Sequence, residues 1–354
     1  MRRQGRNLFA LPAVACSLAL LTPATALGSA PAVSGHAVSQ SPASVRDYWT
    51  SERMREAAAI EPPTSESAGT VGAGARASAI APDLETDPAL DTAFPQRLHG
   101  RLFMTLNGED ASCSATVVTA RSRDLILTAG HCISIPGELS PVGIVWATNV
   151  LFVPGYRNNV RPFGSFPATR LGAPLAWLQG GDIGFDLGAV NLAPGAGGSI
   201  QEQLGARGVA FNRSSKSYRN DVFEVYGYPG SPAPVYDAQR LIVCLSSFQG
   251  FERGTGSPTV APCHQQEGSS GGGWVRNGQV QSLVSHAGCA IPSIACVFVS
   301  GTYFGETAFN LYERSSGGIT KGKRKRLKRC KRFNKQAKRL RCRGRVQRFS
   351  ADPR

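Results

Sequence analysis

A serine flanked by glycines stands in the segment Gly268-Ser269-Ser270-Gly271-Gly272-Gly273-Trp274. Glycine reaches backbone angles that other residues cannot, so such a string can form a simple flexible turn. It can also hold a nucleophile on a tight loop, where small neighbours let a carbonyl group approach Ser270. The backbone N–H groups of Gly268 and Ser270 would then bind the resulting oxyanion. The string alone leaves both interpretations open.

A serine also needs a base, because its hydroxyl is a poor nucleophile until the proton is removed. A neutral histidine suits that task near pH 7. The segment Leu127-Thr128-Ala129-Gly130-His131-Cys132 supplies such a histidine. The histidine in turn needs a buried carboxylate that fixes its tautomer and steadies the imidazolium ion.

The two segments together resemble those of the chymotrypsin/trypsin-like serine peptidases. In that family a T-A-G-H-C segment carries the general base and a G-D-S-G-G segment carries the nucleophile. The resemblance covers about residues 94–313 and is closer to the secreted bacterial type, loosely similar to glutamyl endopeptidases. It implies a serine endopeptidase acting on peptides or proteins. His131 would be the base, Ser270 the nucleophile, and the amides of Gly268 and Ser270 the oxyanion hole.

The family order of His, Asp and Ser places the aspartate between His131 and Ser270. Asp186 precedes the apolar run Leu187-Gly188-Ala189-Val190, which resembles the family pattern of an acid entering a strand. Asp182 fits less well, because the apolar position four residues on is Asp186 itself. Either residue could also be an ordinary turn aspartate. We choose Asp186 as the third member and retain Asp182 as the alternative.

The resemblance also implies a substrate pocket. Val284-Ser285-His286-Ala287-Gly288 resembles the family's S-W-G strand, so Ser285 would support the aspartate and His286 would lie beside the substrate. His264 falls six residues before Ser270, where the family has its pocket-floor residue. Ser269 replaces the aspartate that receives a newly cut N-terminus in trypsin-like zymogens, which implies that this activation switch is absent.

Four regions follow from composition. Arg2, Arg3 and Arg6 precede an apolar run, and Ala24-Thr25-Ala26 follows it, which is typical of a secretory signal peptide over residues 1–26. Residues 27–93 are Ala-, Ser- and Pro-rich and predict a largely disordered pro-segment or linker, with one short helical island beginning at Ser44. We assign 94–314 to the peptidase domain and 315–354 to a basic tail. No other segment is long and apolar enough to span a membrane.

The fold class follows from turn residues and short apolar runs. The chain has 40 Gly and 23 Pro but only 8% aromatic residues. Many short strands separated by Gly and Pro predict an all-β sandwich or barrel. The family resemblance selects two packed antiparallel β-barrels with the active site in the cleft between them.

Cysteine usage agrees with export. Of nine cysteines, Cys16 lies in the predicted signal peptide, and the even remainder suits disulfides. The resemblance implies a disulfide beside the base, Cys113–Cys132. The places where this sequence departs from the family's cysteine spacing imply two further pairs, Cys244–Cys263 and Cys289–Cys296. Cys330 and Cys342 can pair only if the chain turns between them, because twelve helical residues span about 18 Å. The cysteines lack C-x-x-C spacing, so no metal or organic cofactor is expected.

The positive charge is confined to the tail. Residues 315–354 contain 17 of the 39 Lys and Arg and one acid, Asp352, for a net charge of +16, whereas the rest of the chain sums to −1. We expect residues 321–348 to bind an anionic surface polymer, or else to form a solvated tail with no partner. Phe333 and Phe349 are too few for base stacking, so no specific nucleic-acid binding is expected. The alternative function is a non-catalytic peptidase-fold adhesion protein that binds anionic surfaces through this tail.

A chain shortened to end at Ser316 tests the tail. The shortened chain should keep its activity on a small peptide and lose retention on an anionic resin. Retention of the full chain should weaken steeply with salt, because exposed charges are screened over about 8 Å at physiological ionic strength. Activity and salt-dependent elution of both chains are the measurements. Retention that survives the truncation would place the anionic-polymer site elsewhere.

Overall fold

The computed structural model describes residues 32–62, 84–86, 92–231, 234–288 and 298–317. The predicted signal peptide, the basic stretch 321–348 and four predicted disulfide cysteines lie outside the described residues, namely Cys289, Cys296, Cys330 and Cys342.

Short strands dominate the part of the chain that is described. In chain order they are β1 (Val33–Ala37), β2 (Ala58–Ala59), β3 (Leu84–Glu85), β4 (His99–Leu106), β5 (Glu109–Val117), β6 (Leu125–Thr128), β7 (Ser134–Ile135), β8 (Val145–Trp146), β9 (Thr148–Pro154), β10 (Phe166–Pro174), β11 (Gly188–Leu192), β12 (Gly208–Val209), β13 (Val222–Gly227), β14 (Ile242–Phe251), β15 (Pro258–Ala261), β16 (Gly273–Arg276), β17 (Gln279–Gly288) and β18 (Phe298–Gly301). The α-helices are α1 (Pro42–Tyr48), α2 (Ser51–Glu56), α3 (Leu175–Gly180), α4 (Ile200–Leu204) and α5 (Glu306–Ser315).

Two sheets each close into a six-stranded barrel. In the first, the strand order is β10-β11-β6-β5-β4-β9, and β9 pairs back onto β10. In the second, the order is β17-β16-β13-β14-β15-β18, and β18 pairs back onto β17. Closure leaves no free edge in either barrel. The predicted class, two antiparallel barrels of chymotrypsin-like type, is confirmed.

Side-chain alternation along β4 explains how the first barrel is filled. Leu102 and Met104 point into the barrel core, whereas Phe103 belongs to a second apolar cluster on the other face of the sheet. Successive residues of a strand face opposite sides, so a strand buried along its whole length needs a cover on each face. The N-terminal segment provides the outer cover, because Trp49 packs on Phe103 with ring centroids 5.3 Å apart.

The expectation of a largely disordered segment over 27–93 is wrong for residues 32–62. Strand β1 pairs antiparallel with β10, and helices α1 and α2 follow it. Val45, Trp49 and Met54 are at most 1% exposed, so the predicted helical island is a docked part of the apolar core. The cause is non-local, because Trp49 packs on Phe103 in the distant strand β4, a contact that local composition does not reveal.

Helix α5 packs against the barrels at the other end of the described chain. Its Phe309 contacts Phe211 edge to face and its Tyr312 contacts the same ring at a tilt, with ring centroids 5.6 and 5.2 Å apart. The backbone carbonyls of Ser315 and Ser316 accept hydrogen bonds from Asn191 and Ser122. Residues 315 and 316 are therefore part of the folded unit, slightly beyond the predicted boundary at 314.

Two of the predicted disulfides are present. Cys113 is bonded to Cys132, and Cys244 to Cys263. Disulfides persist in oxidising surroundings, and these two fit an extracellular protein. Over the described ranges, the helices are all too short or too polar to cross a bilayer.

Replacing Trp49 by alanine tests whether the N-terminal segment is part of the core. Because its buried indole contacts Phe103, the variant should lose about 3–5 kcal/mol of unfolding free energy. Arg55→Ala, on the exposed side of the next helix, should have little effect. Denaturant unfolding of both variants measures this, and equal midpoints would contradict the docked arrangement.

Candidate active site

His131 lies in a tight turn just after β6. The amides of Ile133 and Ser134 both donate to the carbonyl of Gly130 at 3.0 Å, which closes the turn. A Cβ atom at Gly130 would lie 2.7 Å from the ring of Trp177, so only glycine lets the indole pack there. The disulfide between Cys113 and Cys132 ties the turn to β5. The histidine ring is thereby held in a buried position, 4% exposed.

Asp186 lies against this histidine. It is fully buried, and Oδ2 is 2.8 Å from His131 Nδ1 while Oδ1 accepts the His131 backbone N–H at 2.9 Å. The hydroxyl of Ser285 donates to Oδ2 at 2.6 Å. Burial alone would raise the pKa of Asp186, but the charge of His131 and the hydrogen bonds from His131 and Ser285 outweigh it and lower the pKa. The carboxylate is therefore ionised, and it orients the imidazole.

Asp182, the alternative, has different surroundings. It is exposed, and its side chain accepts the backbone N–H of Gly184 at 3.0 Å, which caps a short 3₁₀ helix (Ile183–Phe185). That is the ordinary role of an aspartate at a helix start. The geometry favours Asp186 over Asp182 as the partner of the histidine.

Ser270 and Gly268 lie on the loop between β15 and β16. Gly268 has φ = +88°, and a Cβ there would lie 2.6 Å from the carbonyl oxygen of Tyr228, so the position requires glycine. The amide of Ser114 donates to the Ser270 carbonyl at 2.8 Å, which joins the loop of the second barrel to β5 of the first. Ser270 is 1% exposed and its loop meets the His131 turn, since Cys132 Sγ lies 3.7 Å from the Ser270 carbonyl oxygen.

The Ser270 hydroxyl does not face an empty cleft. Its Oγ donates to the carbonyl oxygen of Ile60 at 3.3 Å, and the amide of Gly268 donates to the same oxygen at 3.1 Å. Within the described residues, His131 Nε2 has no hydrogen-bond partner. A carbonyl oxygen from the N-terminal segment is therefore bound by the two groups predicted to act on a substrate carbonyl.

His286 continues the hydrogen-bond network behind Asp186. Its Nδ1 lies 3.2 Å from the Ser285 hydroxyl and its Nε2 lies 3.1 Å from a carboxylate oxygen of Glu252. Burial by itself would lower the pKa of His286, but the hydrogen bond to Glu252 and its charge outweigh it and raise the pKa. Burial by itself would raise the pKa of Glu252, but the hydrogen bond from His286, together with weaker interactions, lowers it. The two half-buried side chains form a hydrogen-bonded pair behind the carboxylate of Asp186.

The remaining predicted pocket residue, His264, is half-buried one position after the disulfide-bonded Cys263. It lies on the same loop as Ser270 but is not among the residues bonded to Asp186.

Sequence reasoning missed Glu252 and Ile60. Neither lies in a recognisable motif, and both reach the site only through the way distant segments pack.

One grouping of potential metal ligands exists in the described part of the chain. Cys113, His131 and Cys132 bring their donor atoms within 4.8 Å of one another. The metal ligand that cysteine offers is its thiolate, and both sulfurs here are consumed by the disulfide. This grouping is therefore part of the histidine's support.

No protein-family model matches the chain. Over 125 residues the chain is 24% identical to an extracellular metalloprotease of Bacillus subtilis (strain 168), a stretch that is 35% of this chain. The match spans 37% of the length of that curated relative.

Structural comparison is more informative. The protease Anisep from Arthrobacter nicotinovorans aligns with a TM-score of 0.54 and 27% identity, over 63% of this chain and 96% of that protein. The thermostable serine protease AL20 from an extremophilic microorganism aligns with a TM-score of 0.55 and 28% identity, over 63% and 98%. A Glu endopeptidase aligns with a TM-score of 0.51 at 16% identity, over 67% and 97%, and shows the fold alone.

These neighbours are bacterial chymotrypsin-like serine proteases. The chain has their fold, and the similarity supports a peptidase.

The lowered pKa of Asp186 predicts how stability depends on pH. The pKa of an unfolded aspartate is about 3.9, so the stabilisation from Asp186 is complete above that pH and is lost as pH falls through the lower folded value. Between about pH 5 and pH 3 the parent chain should therefore lose more unfolding free energy than Asp186→Asn does. Asp182→Asn is the matched control and should follow the parent. Parallel pH curves for the parent and Asp186→Asn would contradict the assigned environment.

Proposed function

We propose that the chain is a secreted serine endopeptidase that cleaves peptide bonds through Ser270, His131 and Asp186. The observation that carries the proposal is the buried pair of His131 Nδ1 and Asp186 Oδ2, 2.8 Å apart, in a chymotrypsin-like fold. A non-catalytic scaffold gains little from keeping a charged carboxylate fully buried, because an ion costs several kcal/mol to desolvate unless partners offset it. Here a histidine and Ser285 supply those partners.

The reaction proceeds in two halves. Ser270 Oγ attacks the substrate carbonyl carbon while His131 Nε2 takes the hydroxyl proton, and the imidazolium ion is stabilised by Asp186. His131 then gives that proton to the leaving amine, and the C–N bond breaks to leave an acyl group on Ser270. Water, deprotonated by His131, attacks the acyl carbonyl carbon. The ester C–O bond then breaks, and His131 returns the proton to Ser270 Oγ, which releases the product acid and the free serine.

Electrostatic stabilisation of the oxyanion falls to the amides of Gly268 and Ser270. Useful donors lie about 2.7–3.1 Å from the oxygen that they stabilise. The amide of Gly268 meets this requirement toward a peptide carbonyl, that of Ile60, at 3.1 Å. This contact supports its role toward a substrate carbonyl as well. His264, Ser285 and His286 are the proposed substrate-side residues, of which Ser285 acts through its hydrogen bond to Asp186.

The proposal extends to the flanking regions. We assign residues 1–26 to a signal peptide and 27–93 to a pro-segment. The peptidase domain, predicted to end at 314, includes the folded residues 315 and 316, and the tail follows it. The tail's +16 charge supports association with an anionic cell-wall polymer. No organic cofactor or metal is part of the proposed mechanism.

The competing function is an adhesion protein that keeps the fold without catalysis. The tail charge favours binding to anionic surfaces under either function, so it does not discriminate. Covalent labelling by a fluorophosphonate does, because only an activated serine reacts with it. Labelling at Ser270 would support the peptidase, and a chain that remains unlabelled in every variant described below would support the adhesion protein.

Substitutions in the three residues test the mechanism. Ser270→Ala and His131→Ala should each lower kcat by about 10⁴-fold or more, and the double variant should lose little further, because the residues act as a unit. Asp186→Asn should be severe as well, since it disturbs the tautomer of His131. Asp182→Asn should be mild, and it controls for general effects of removing a nearby carboxylate. Peptide hydrolysis at saturating substrate measures all five, and a severe loss in Asp182→Asn with a mild one in Asp186→Asn would reverse the assignment.

A further inference from the structure

The N-terminal segment continues past α2 into the catalytic cleft. After Ala57 the chain forms β2, which pairs parallel with β5 so that Ala59 lies opposite Ser112. The amide of Ile60 then donates to the carbonyl of Ser112 at 3.3 Å. The pairing delivers the Ile60 carbonyl to the amide of Gly268 and to the hydroxyl of Ser270.

The fit on the cleft wall is close. The Cβ of Ala59 lies 2.7 Å from the place where a Cβ at Gly230 would stand, and 3.0 Å from the corresponding place at Gly268. Two glycines thus leave room for one methyl group of this segment and for nothing larger. Glu61, the next residue after Ile60, is half-buried, and its carboxylate interacts electrostatically with His131, Glu267 and His286.

The contact differs from that of a substrate about to be cleaved. A nucleophile must direct its lone pair at the carbonyl carbon after a base has taken its proton. Here Ser270 Oγ instead donates its proton to the carbonyl oxygen, and His131 Nε2 has no hydrogen-bond partner in the described chain. The nucleophile and its base are therefore not hydrogen-bonded to each other while the segment is in place.

The segment is anchored on the surface of the first barrel. Arg53 Nη1 lies 2.8 Å from Asp110 Oδ2, and the Tyr48 hydroxyl donates to Asp110 Oδ1 at 2.6 Å. Met54 is fully buried. Because the anchor is covalently continuous with residues 57–62, it keeps them at a high effective concentration beside the cleft.

We propose that residues 57–62 are an intramolecular plug that blocks the active site of the folded chain. The inference rests on the proposed function, since a block matters only if Ser270 and His131 are catalytic. While the plug is bound, substrate carbonyls are excluded from the Gly268 amide and the Ser270 hydroxyl does not pair with the base. Catalysis requires residues 57–62 to leave the cleft, while the anchor formed by α1 and α2 can stay docked.

Two substitutions at neighbouring alanines in the full chain test the plug. Ala59→Arg places a long side chain against Gly230 and Gly268 and should displace the plug, whereas Ala58 is exposed and Ala58→Arg should leave it in place. We expect fluorophosphonate labelling and small-peptide hydrolysis to rise about tenfold in Ala59→Arg, the change in open population that the loss of one or two hydrogen bonds produces. Ala58→Arg should match the parent.

A free peptide with the sequence of residues 57–62 gives a second readout. It should inhibit Ala59→Arg, and the same peptide with arginine at its third position should not. Thermal unfolding of each variant shows whether it is folded. If Ala59→Arg melts below the parent, the pair Ala59→Val and Ala58→Val repeats the comparison with a smaller change.

The outcomes separate the two hypotheses. Equal labelling of Ser270 in the parent, the Ala58 variants and folded Ala59 variants would overturn the plug and leave the peptidase intact. A folded Ala59 variant that shows no labelling at Ser270 and no hydrolysis would instead overturn the proposed function. Inhibition by the altered peptide as strong as by the native one would show that the cleft does not recognise Ala59, which also overturns the plug.

Discussion

The buried charge of Asp186 is the constraint to which the rest of the site is adapted. A carboxylate removed from water is costly unless hydrogen-bond donors replace its hydration shell, and the loss of one partner of such a pair costs about 3–5 kcal/mol. Three donors meet this need: the His131 amide, the His131 ring and the Ser285 hydroxyl. The first two follow β6 of the first barrel, and the third lies in β17 of the second. The two barrels can satisfy the carboxylate only by packing together in one register.

The glycines around Ser270 have a structural as well as a chemical cause. A Cβ at Gly271 would collide with Thr128 and Ser114, and a Cβ at Gly272 would collide with the carbonyl of Tyr226. The nucleophile loop is thus pressed against strands of both barrels, and any side chain larger than hydrogen would force it away. The same residues that expose Ser270 to a carbonyl also permit the close approach that brings it to the His131 turn. Barrel packing therefore selects the same glycines that the proposed chemistry would use.

The sequence was sufficient to predict features that depend on local motifs, but not contacts between segments that are distant in the chain. The strings around His131 and Ser270 carry their own chemistry, and Asp186 was distinguishable from Asp182 by the apolar strand that follows it. Two disulfide pairs and the barrel class were also predictable. Strand β10 could not be predicted from the sequence, because Pro167 and Pro174 interrupt the strand pattern and are tolerated only near the ends of the strand. Glu252 joins the site solely through a contact with His286, thirty-four residues away.

The N-terminal segment combines two kinds of contact whose energies differ in scale. Trp49 and Met54 are buried in the apolar core, where displacing an aromatic side chain costs several kcal/mol. Beyond Ala57, the plug is held in the cleft by the hydrogen bonds of Ile60 to backbone and hydroxyl groups, each worth about 1 kcal/mol net because water replaces it on opening. Local opening of low-cost contacts precedes the unfolding of a packed core. The change from buried apolar contacts to hydrogen bonds falls at Ala57, the buried C-cap residue of α2, whose carbonyl accepts a hydrogen bond from the buried Arg101. The physics of the contacts therefore makes Ala57 the hinge about which the plug can swing clear while the helices before it still cover Phe103 and complete the barrel.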